Sequence, residues 1–239
     1  HKLMHRALYG MVRSEGLDTF LELTVDSTAI EANTSWPSES ALMCGFLSRI
    51  HRLLGQQAQY TGVAYGSKLV DRWLKELACL HREINMLPSR PGSKQERRKL
   101  YGRMLMLAEK TQNKLRVLLE SRRDEMSACC IRPSLRLRVD DMLRQMGRDF
   151  DEAGKAIASA RIRVLQAKPV AASDKVFSLA DPDAYMIVKG QREPVVGYKP
   201  QLGRSAHGFI SCFEVLRGNP ADSDRLLPML KAHLEATGQ

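Results

Sequence analysis

The sequence is poor in the features that most readily identify an enzyme by inspection. Aromatic residues make up 6% of the 239 residues, and none of the five cysteines forms the C-x-x-C pair typical of zinc and redox sites. The six histidines include no H-E-x-x-H pair. We therefore expect reduced, buried thiols of a cytosolic protein and no zinc site.

A long apolar run is also missing. The sequence has no stretch of about 18 apolar residues, so we expect no membrane partner. The first ten residues lack the apolar core and the small-residue cleavage site of a signal peptide. A first residue other than Met indicates a fragment or a processed chain. The length suffices for one large domain or for a core with a sizeable insertion.

Positive charge is concentrated in the middle of the chain. The segment from Arg90 to Lys168 holds 20 Lys and Arg against 10 Asp and Glu, whereas the rest of the chain holds 17 of each. The net charge of +10 therefore comes entirely from this basic block. A basic block in an otherwise neutral protein indicates a polyanionic partner, most often nucleic acid. The alternative is a solvated helical surface rich in arginine.

Apolar periodicity and chain-breaking residues predict a strand, a series of helices, three further strands and a last helix. The predicted elements are a helix over 1–19, a buried strand over 20–30, helices over about 39–57, 67–86, 93–127 and 134–167, strands over 184–188, 195–199 and 208–216, and a helix over about 222–236. Apolar and small residues over 139–164 recur at spacings of three and four, close to a coiled-coil repeat. This stripe either closes an antiparallel helical hairpin or forms a homodimer.

Asp26 is the most informative single residue. It lies towards the end of the predicted buried strand, among Phe20, Leu23, Val25 and Ile30. A carboxylate inside an apolar strand is costly unless it is paired or bound to a metal ion. We therefore expect a functional site at Asp26.

Several strings resemble one known family. Residues 25–40, VDSTAIEANTSWPSES, are similar to the first catalytic-aspartate segment of bacterial insertion-sequence transposases of the DDE type. The strings LADPDAYMIVKG, VVGYKPQLG and GFISCFEVLRGNPADSDRLLPML resemble the strand-rich part that follows in the same enzymes. The likeness covers roughly residues 20–40 and 178–234.

The resemblance implies a mixed α/β fold, namely a partial RNase H-like core with a long α-helical insertion between the first and second strands. The implied domains are residues 1–38 with the first core strand, a basic helical insertion over 39–168 containing the hairpin, and a strand-rich remainder over 169–239. Asp26 matches the first catalytic and metal-binding acid. Glu31 and Asn33 match motif positions without an assigned role.

In this family a second Asp follows the helix predicted at 222–236 and a Glu lies on a later helix, so the resemblance places both beyond Gln239. The whole enzyme would perform two-metal phosphoryl transfer with Mg²⁺ or Mn²⁺, and we expect this chain to be inactive alone. Other acids are not expected to substitute. Asp222 and Asp224 fit helix caps, and Asp181 and Asp183 fit a turn.

The basic block would contact the phosphates of double-stranded DNA at the transposon ends, in the bacterial cytoplasm and nucleoid. The candidate DNA-binding residues are Arg97, Arg98, Lys99, Arg103, Lys110, Lys114, Arg122, Arg123, Arg136 and Arg138. Transposases of this kind act as dimers, so a homodimer is a further expectation. The alternatives are a non-catalytic DNA-binding protein from a degenerate element and a helical interaction protein.

Overall fold

The computed structural model describes residues 2–32, 38–66, 68–88, 90, 92–128, 133–181, 183–190 and 193–238. The chain divides into two compact units. The sheet unit comprises His1–Thr34 and Asp183–Gln239, and the helical unit comprises Ser35–Pro182. The prediction of a mixed α/β fold is confirmed, since the described residues form seven α-helices and a five-stranded antiparallel sheet.

In chain order the elements are α1 (Lys2–Ser14), β1 (Thr24–Ser27), β2 (Ile30–Glu31), α2 (Glu39–Thr61), α3 (Lys68–Met86), α4 (Ser93–Glu120), α5 (Arg123–Ala128), α6 (Pro133–Ala160), β3 (Tyr185–Ile187), β4 (Val195–Arg204), β5 (Ile210–Leu216) and α7 (Leu226–Thr237). A π-helical turn, Arg161–Leu165, extends α6. A 3-10 turn, Asp222–Arg225, precedes α7.

Strand β4 is the centre of the sheet. Every other strand pairs with it, and all four pairings are antiparallel. Leu202 on β4 lies opposite both Asp26 on β1 and Phe213 on β5, so β1 and β5 flank β4 on opposite sides. Among the described residues no strand pairs with the other edge of β1. That edge therefore presents unpaired backbone groups.

Gly197 allows β2 to approach β4 closely. A Cβ atom at this position would lie 1.9 Å from the carbonyl oxygen of Ile30. Because no side chain fits there, glycine is required where the two strands meet.

The sheet unit has a small apolar core and a buried polar network. Tyr9, Val12 and Phe20 form the core cluster, and Phe20 has a φ of 58°. The ring of His233 on α7 lies 2.6 Å from Ser211 Oγ and 2.9 Å from the Phe20 carbonyl oxygen. A carbonyl only accepts hydrogen bonds, so Nε2 of His233 carries the proton.

The helical unit is a bundle built on α2. Met43, Phe46 and Ile50 of this helix are fully buried. The helix begins after Ser38, whose hydroxyl accepts a hydrogen bond from the Ala41 amide at 3.3 Å. Such a cap satisfies one of the free N–H groups at a helix start. Helix α6 packs mainly against α2 and also contacts α4.

The apolar stripe over 139–164 is largely buried within the helical unit. Its members Val139, Met146, Phe150, Ala153, Ile157 and Ala160 are buried. The stripe therefore packs inside the chain's own bundle, but mainly against α2, whereas the predicted hairpin paired it with the helix at 93–127. The homodimer stays a prediction.

A buried ion pair joins α2 to α6. Both guanidinium nitrogens Nε and Nη2 of Arg49 donate to the carboxylate of Asp149, whose side chain is fully buried. Gln145 donates a further hydrogen bond to Asp149 at 2.8 Å, and Arg49 Nη1 donates to the Leu179 carbonyl at 2.8 Å. The pair is satisfied on both sides, which a buried charge requires.

Several predicted boundaries are wrong. The first helix ends at Ser14 instead of residue 19, and the helix predicted over 93–127 is interrupted at Ser121 and Arg122. The predicted strand over 20–30 starts only at Thr24, after the left-handed backbone of Phe20, and is divided at Thr28 and Ala29 into the two short strands β1 and β2. Thr28 donates its amide to the Pro200 carbonyl of β4, and the proline has no N–H to donate in return. The helical insertion follows β2 and precedes β3, and so lies between the first and second predicted strands, 20–30 and 184–188, as predicted.

The thiols are less buried than predicted. Cys79 is exposed, and Cys44 and Cys212 are half-buried, all three as free cysteines. Cys129 and Cys130 lie outside the described residues. Within the described part of the chain, no helix is both long and apolar enough to cross a membrane.

Candidate functional site

Asp26 lies on the edge strand β1, opposite Leu202 of β4. Its side chain is 78% exposed, so the expectation of a buried carboxylate is wrong. The predicted strand looked apolar, yet Leu21 is 75% exposed and Ile30 is 53% exposed. The site at Asp26 must therefore be judged from its contacts and not from burial.

Two donors hold one oxygen of the Asp26 carboxylate. Oδ1 accepts hydrogen bonds from Lys189 Nζ at 3.1 Å and from the Ser27 amide at 2.7 Å. Lys189 also donates to the Ser27 carbonyl. The Lys189 ammonium and then the Ser27 amide hold the pKa of Asp26 below its ordinary value. No described residue donates a hydrogen bond to Oδ2, which leaves that oxygen open to solvent.

Asp222 is a second carboxylate in the same cluster. It accepts from Lys199 Nζ at 2.9 Å, from Gln201 Nε2 at 2.8 Å and from Ser27 Oγ at 3.1 Å. Burial alone would raise the pKa of Asp222, but these donors outweigh burial and lower it to about 2. Asp222 is therefore ionised at neutral pH. Its carboxylate fixes the position of the Ser27 hydroxyl, next to Asp26.

The register of the sheet brings these residues together. Ser27 lies opposite Gln201, and Lys199 stands two residues before Gln201 on the same face of β4. The Lys199 side chain is 7% exposed, and its ammonium also donates to the Pro220 carbonyl at 2.8 Å. Asp222 opens the 3-10 turn that follows Pro220. We call Asp26, Ser27, Lys189, Lys199, Gln201 and Asp222 the Asp26 cluster.

The prediction that Asp222 caps a helix is wrong. The residue before the 3-10 turn is Ala221, and the turn has no side-chain cap. The carboxylate of Asp222 instead meets the strand residues of the cluster. Asp224 is exposed and accepts a hydrogen bond from Ser223 Oγ at 3.4 Å. Asp183 lies in a turn, as predicted.

Sequence reasoning missed most of this cluster. The one signal was the pair Lys199 and Gln201, which are polar, two residues apart and buried in a strand. The Gln201 Oε1 atom is buried without a hydrogen-bond partner among the described residues. Glu31 lies on β2 opposite Gly197 and is exposed. Asn33 lies outside the described residues.

The Asp26 cluster fits a divalent cation only in part. Mg²⁺ and Mn²⁺ prefer hard oxygen ligands, and Asp26 offers one free carboxylate oxygen. Within the described ranges, no group of three or more His, Cys, Asp or Glu side chains is placed to hold a metal ion. One carboxylate is too few to hold a metal pair.

Three of the predicted DNA-binding residues have roles inside the helical unit. Arg97 donates to the Leu87 carbonyl at 3.0 Å, and Arg98 donates to the Val164 carbonyl at 3.1 Å. Lys110 Nζ lies 4.6 Å from the centre of the Trp73 ring, a cation–π distance. Part of the basic block is therefore accounted for by contacts within the helical unit, without a nucleic-acid partner.

The other predicted DNA-binding residues are less engaged in contacts within the chain than these three. In the part of the chain that the structure describes, none of them forms an ion pair with a carboxylate. Lys99 and Arg103 are exposed one turn apart on α4, Arg123 is exposed on α5, Arg136 and Arg138 are exposed near the start of α6, and Lys114 and Arg122 are half-buried. Lys99, Arg103 and Lys110 share one face of α4, because they are spaced by four and seven residues.

Known proteins provide no neighbour for this arrangement. No protein-family model, no curated protein and no solved structure gives a significant match to the chain.

Proposed function

We propose that the chain is part of a DDE transposase that cleaves and joins DNA strands. The observation that carries the proposal is the Asp26 carboxylate, held by its neighbours on the edge strand of an antiparallel sheet with one oxygen facing solvent. The likeness of residues 25–40 to the first catalytic segment of these enzymes supports it.

The order of the strands is compatible with a partial RNase H-like core. Strands β1, β4 and β5 lie side by side and antiparallel, and α7 follows β5. The resemblance implies that kind of start, with the first acid on the first strand. The open edge of β1 is where a further strand of such a core would pair.

In this proposal Asp26 is a ligand for Mg²⁺ or Mn²⁺, which when bound stabilises the attacking and leaving oxygens at phosphorus. Asp222 and Lys199 position the strand end through the Ser27 hydroxyl. Because the Asp26 cluster supplies a single carboxylate with a free oxygen, we expect no catalysis by this chain alone.

The helical unit would hold the backbone of double-stranded DNA at the transposon end. Support comes from the unpaired basic side chains of α4, α5 and α6, which can neutralise phosphates. Phosphate contacts position a protein on DNA without reading its sequence. The protein would act in the bacterial cytoplasm and nucleoid.

The DNA-binding part is tested with a triple variant in which Lys99, Arg103 and Arg123 are changed to Ala. All three are exposed, so the fold should be unaffected. We expect duplex affinity to fall by about tenfold or more at low salt, measured by fluorescence anisotropy. With each phosphate contact that is lost, fewer counterions are released from the DNA on binding.

The matched control changes Arg204, Arg217 and Lys231 of the sheet unit to Ala, which removes the same charge from exposed positions. The control should retain most of the affinity. Equal losses in both variants would mean that net charge alone attracts DNA, and the helical surface would then have no special role.

A further inference from the structure

Hydrogen bonds link three side chains of the helical unit in a row. Nδ1 of His51 on α2 lies 2.6 Å from the hydroxyl oxygen of Tyr65, and Nε2 of His51 lies 2.9 Å from Oδ1 of Asp71 on α3. The His51 and Tyr65 rings meet edge to face, with their centroids 5.4 Å apart. We call these three residues the His51 group. It lies apart from the Asp26 cluster, which belongs to the sheet unit.

The protonation state of His51 decides what the Tyr65 hydroxyl can do. A carboxylate accepts hydrogen bonds, so Nε2 of His51 carries a proton that it donates to Asp71. In the neutral imidazole, Nδ1 then has no proton and accepts the proton of the Tyr65 hydroxyl. When His51 is protonated, Nδ1 donates to the Tyr65 oxygen instead, and the hydroxyl proton is free for another acceptor.

Tyr65 lines an open groove of about 630 Å³ beside α2. The polar lining on the helix side is Arg52, Gln56 and Gln59, which are spaced by four and three residues and so share one face of α2. Each of these side chains has N–H donors, and that of Arg52 also has a permanent positive charge. Small residues leave the groove open, namely Gly55, Ala58, Ala64 and Gly66.

The charged side chains near the His51 group come from three places in the fold. Arg52 lies on α2 and is exposed, Asp71 lies on α3, and Arg122 lies between α4 and α5. Burial and Asp71 raise the pKa of Tyr65, and Arg122 opposes them, which places this guanidinium near the hydroxyl. Two cations therefore lie near the groove, whereas the Asp71 carboxylate is already bound to His51. This balance of charge favours an anion in the groove.

The end of α2 presents fewer bare carbonyl groups to an anion than an uncapped helix would. The Gln57 carbonyl accepts a hydrogen bond from the Thr61 hydroxyl at 2.9 Å, and the Ala58 carbonyl accepts one from the Gly62 amide at 3.0 Å. Free carbonyls at a helix C-terminus carry partial negative charge and repel anions. These two caps reduce that repulsion.

We propose that this groove binds a tetrahedral oxyanion, namely a phosphate group, and that the Tyr65 hydroxyl donates a hydrogen bond to it when His51 is protonated. Arg52 supplies charge, and the amides of Gln56 and Gln59 supply further donors. With His51 neutral, the Tyr65 oxygen has only lone pairs to offer, and these repel the anion. The groove therefore holds phosphate more tightly at lower pH. The site does not depend on Asp26 or on the transposase proposal.

The experiment uses sulfate as the probe, because sulfate keeps the same charge throughout the pH range in which histidine titrates. Sulfate is titrated into the isotope-labelled full chain at constant ionic strength, and the amide signals of Tyr65 and Gly66 are followed by NMR. We expect affinity about tenfold higher at pH 5.5 than at pH 8, because protonation of His51 adds one charge and frees one hydrogen bond to a charged group.

Tyr65→Phe keeps the ring and removes the hydroxyl, so most of this rise in affinity should be lost. His51→Gln stays neutral and should lose the rise as well. The matched control is Tyr60→Phe, which removes a hydroxyl from an exposed position on the same helix and should keep the full rise. A rise that Tyr65→Phe retains in full, equal affinity at the two pH values, or no response to sulfate overturns the site.

The charge of the groove is tested separately at each pH. Arg52→Ala should weaken sulfate binding at both pH values, whereas Arg138→Ala removes the same charge from an exposed position on α6 and should leave it unchanged. Equal losses in both variants would show that net charge attracts sulfate, which overturns the role of the groove.

The source of the phosphate is distinguished with duplex DNA at the lower pH. If Tyr65→Phe weakens duplex binding relative to Tyr60→Phe, the groove receives a phosphate of the DNA backbone. If duplex binding is equal in these two variants while sulfate binding differs, the groove receives a free phosphate-bearing molecule. Both results support the site, and each assigns its ligand.

Discussion

The two units of the chain are stabilised in different ways. The buried apolar cluster of the helical unit contains 23 described residues, whereas that of the sheet unit contains three. The sheet unit has buried polar groups in their place, among them Asp18, Lys199, Gln201 and His233. Stability that comes from an apolar core depends little on exposed residues, whose substitution usually changes it by less than about 0.5 kcal/mol. A polar network fixes a few side chains in one geometry, as a site requires.

Among the described residues of the helical unit, one ion pair has a fully buried carboxylate, that of Arg49 and Asp149. Changing Asp149 to Ala would leave the Arg49 guanidinium without its carboxylate. We expect a loss of about 3–5 kcal/mol in the free energy of unfolding, measured by urea denaturation. The control is Asp141→Ala on the same helix, whose pair with Arg144 is exposed and should contribute at most about 1 kcal/mol. Similar losses in both variants would contradict the account.

The sheet unit should show its dependence on polar contacts through pH. The Asp18 carboxylate accepts hydrogen bonds from Ser205 Oγ and from the amides of Phe20 and His207. Burial alone would raise the pKa of Asp18, but these bonds lower it to about 2. The stabilisation is therefore present above the ordinary pKa near 4 and is lost as pH falls towards 2.

Changing Asp18 to Asn should cost on the order of 2 kcal/mol at pH 7, and much less at pH 2, in urea titrations at each pH. Asp224→Asn, at an exposed position of the same unit, should have little effect at any pH. A loss for Asp18→Asn that is equal at pH 7 and pH 2 would show that the charge of the carboxylate is unimportant.

The helices were more predictable than the site. The spans of α2, α3 and α6 follow from apolar spacing and from local signals such as the Ser38 cap, which depend on near neighbours in sequence. The late start of the predicted strand, at Thr24 instead of residue 20, follows the left-handed backbone of Phe20, a conformation that a bulky residue rarely adopts. Nothing in the local sequence indicates it.

The Asp26 cluster was visible only in part, for a similar reason. The string around Asp26 pointed to that residue through family resemblance. The partners Lys189, Lys199 and Asp222 are more than 160 residues away along the chain and meet it through the register of β1 with β4 and the turn after Pro220. A pairing set by register cannot be obtained from spacing alone.

The proposal that the helical unit contacts DNA through its phosphates is tested most directly by a salt titration. Duplex DNA affinity of the full chain would be measured at a series of salt concentrations between about 50 and 200 mM. We predict a linear fall of the logarithm of affinity with the logarithm of salt, with a slope on the order of −3 or steeper. Absent or salt-independent binding would contradict the account and would mean that the basic block is a solvated surface.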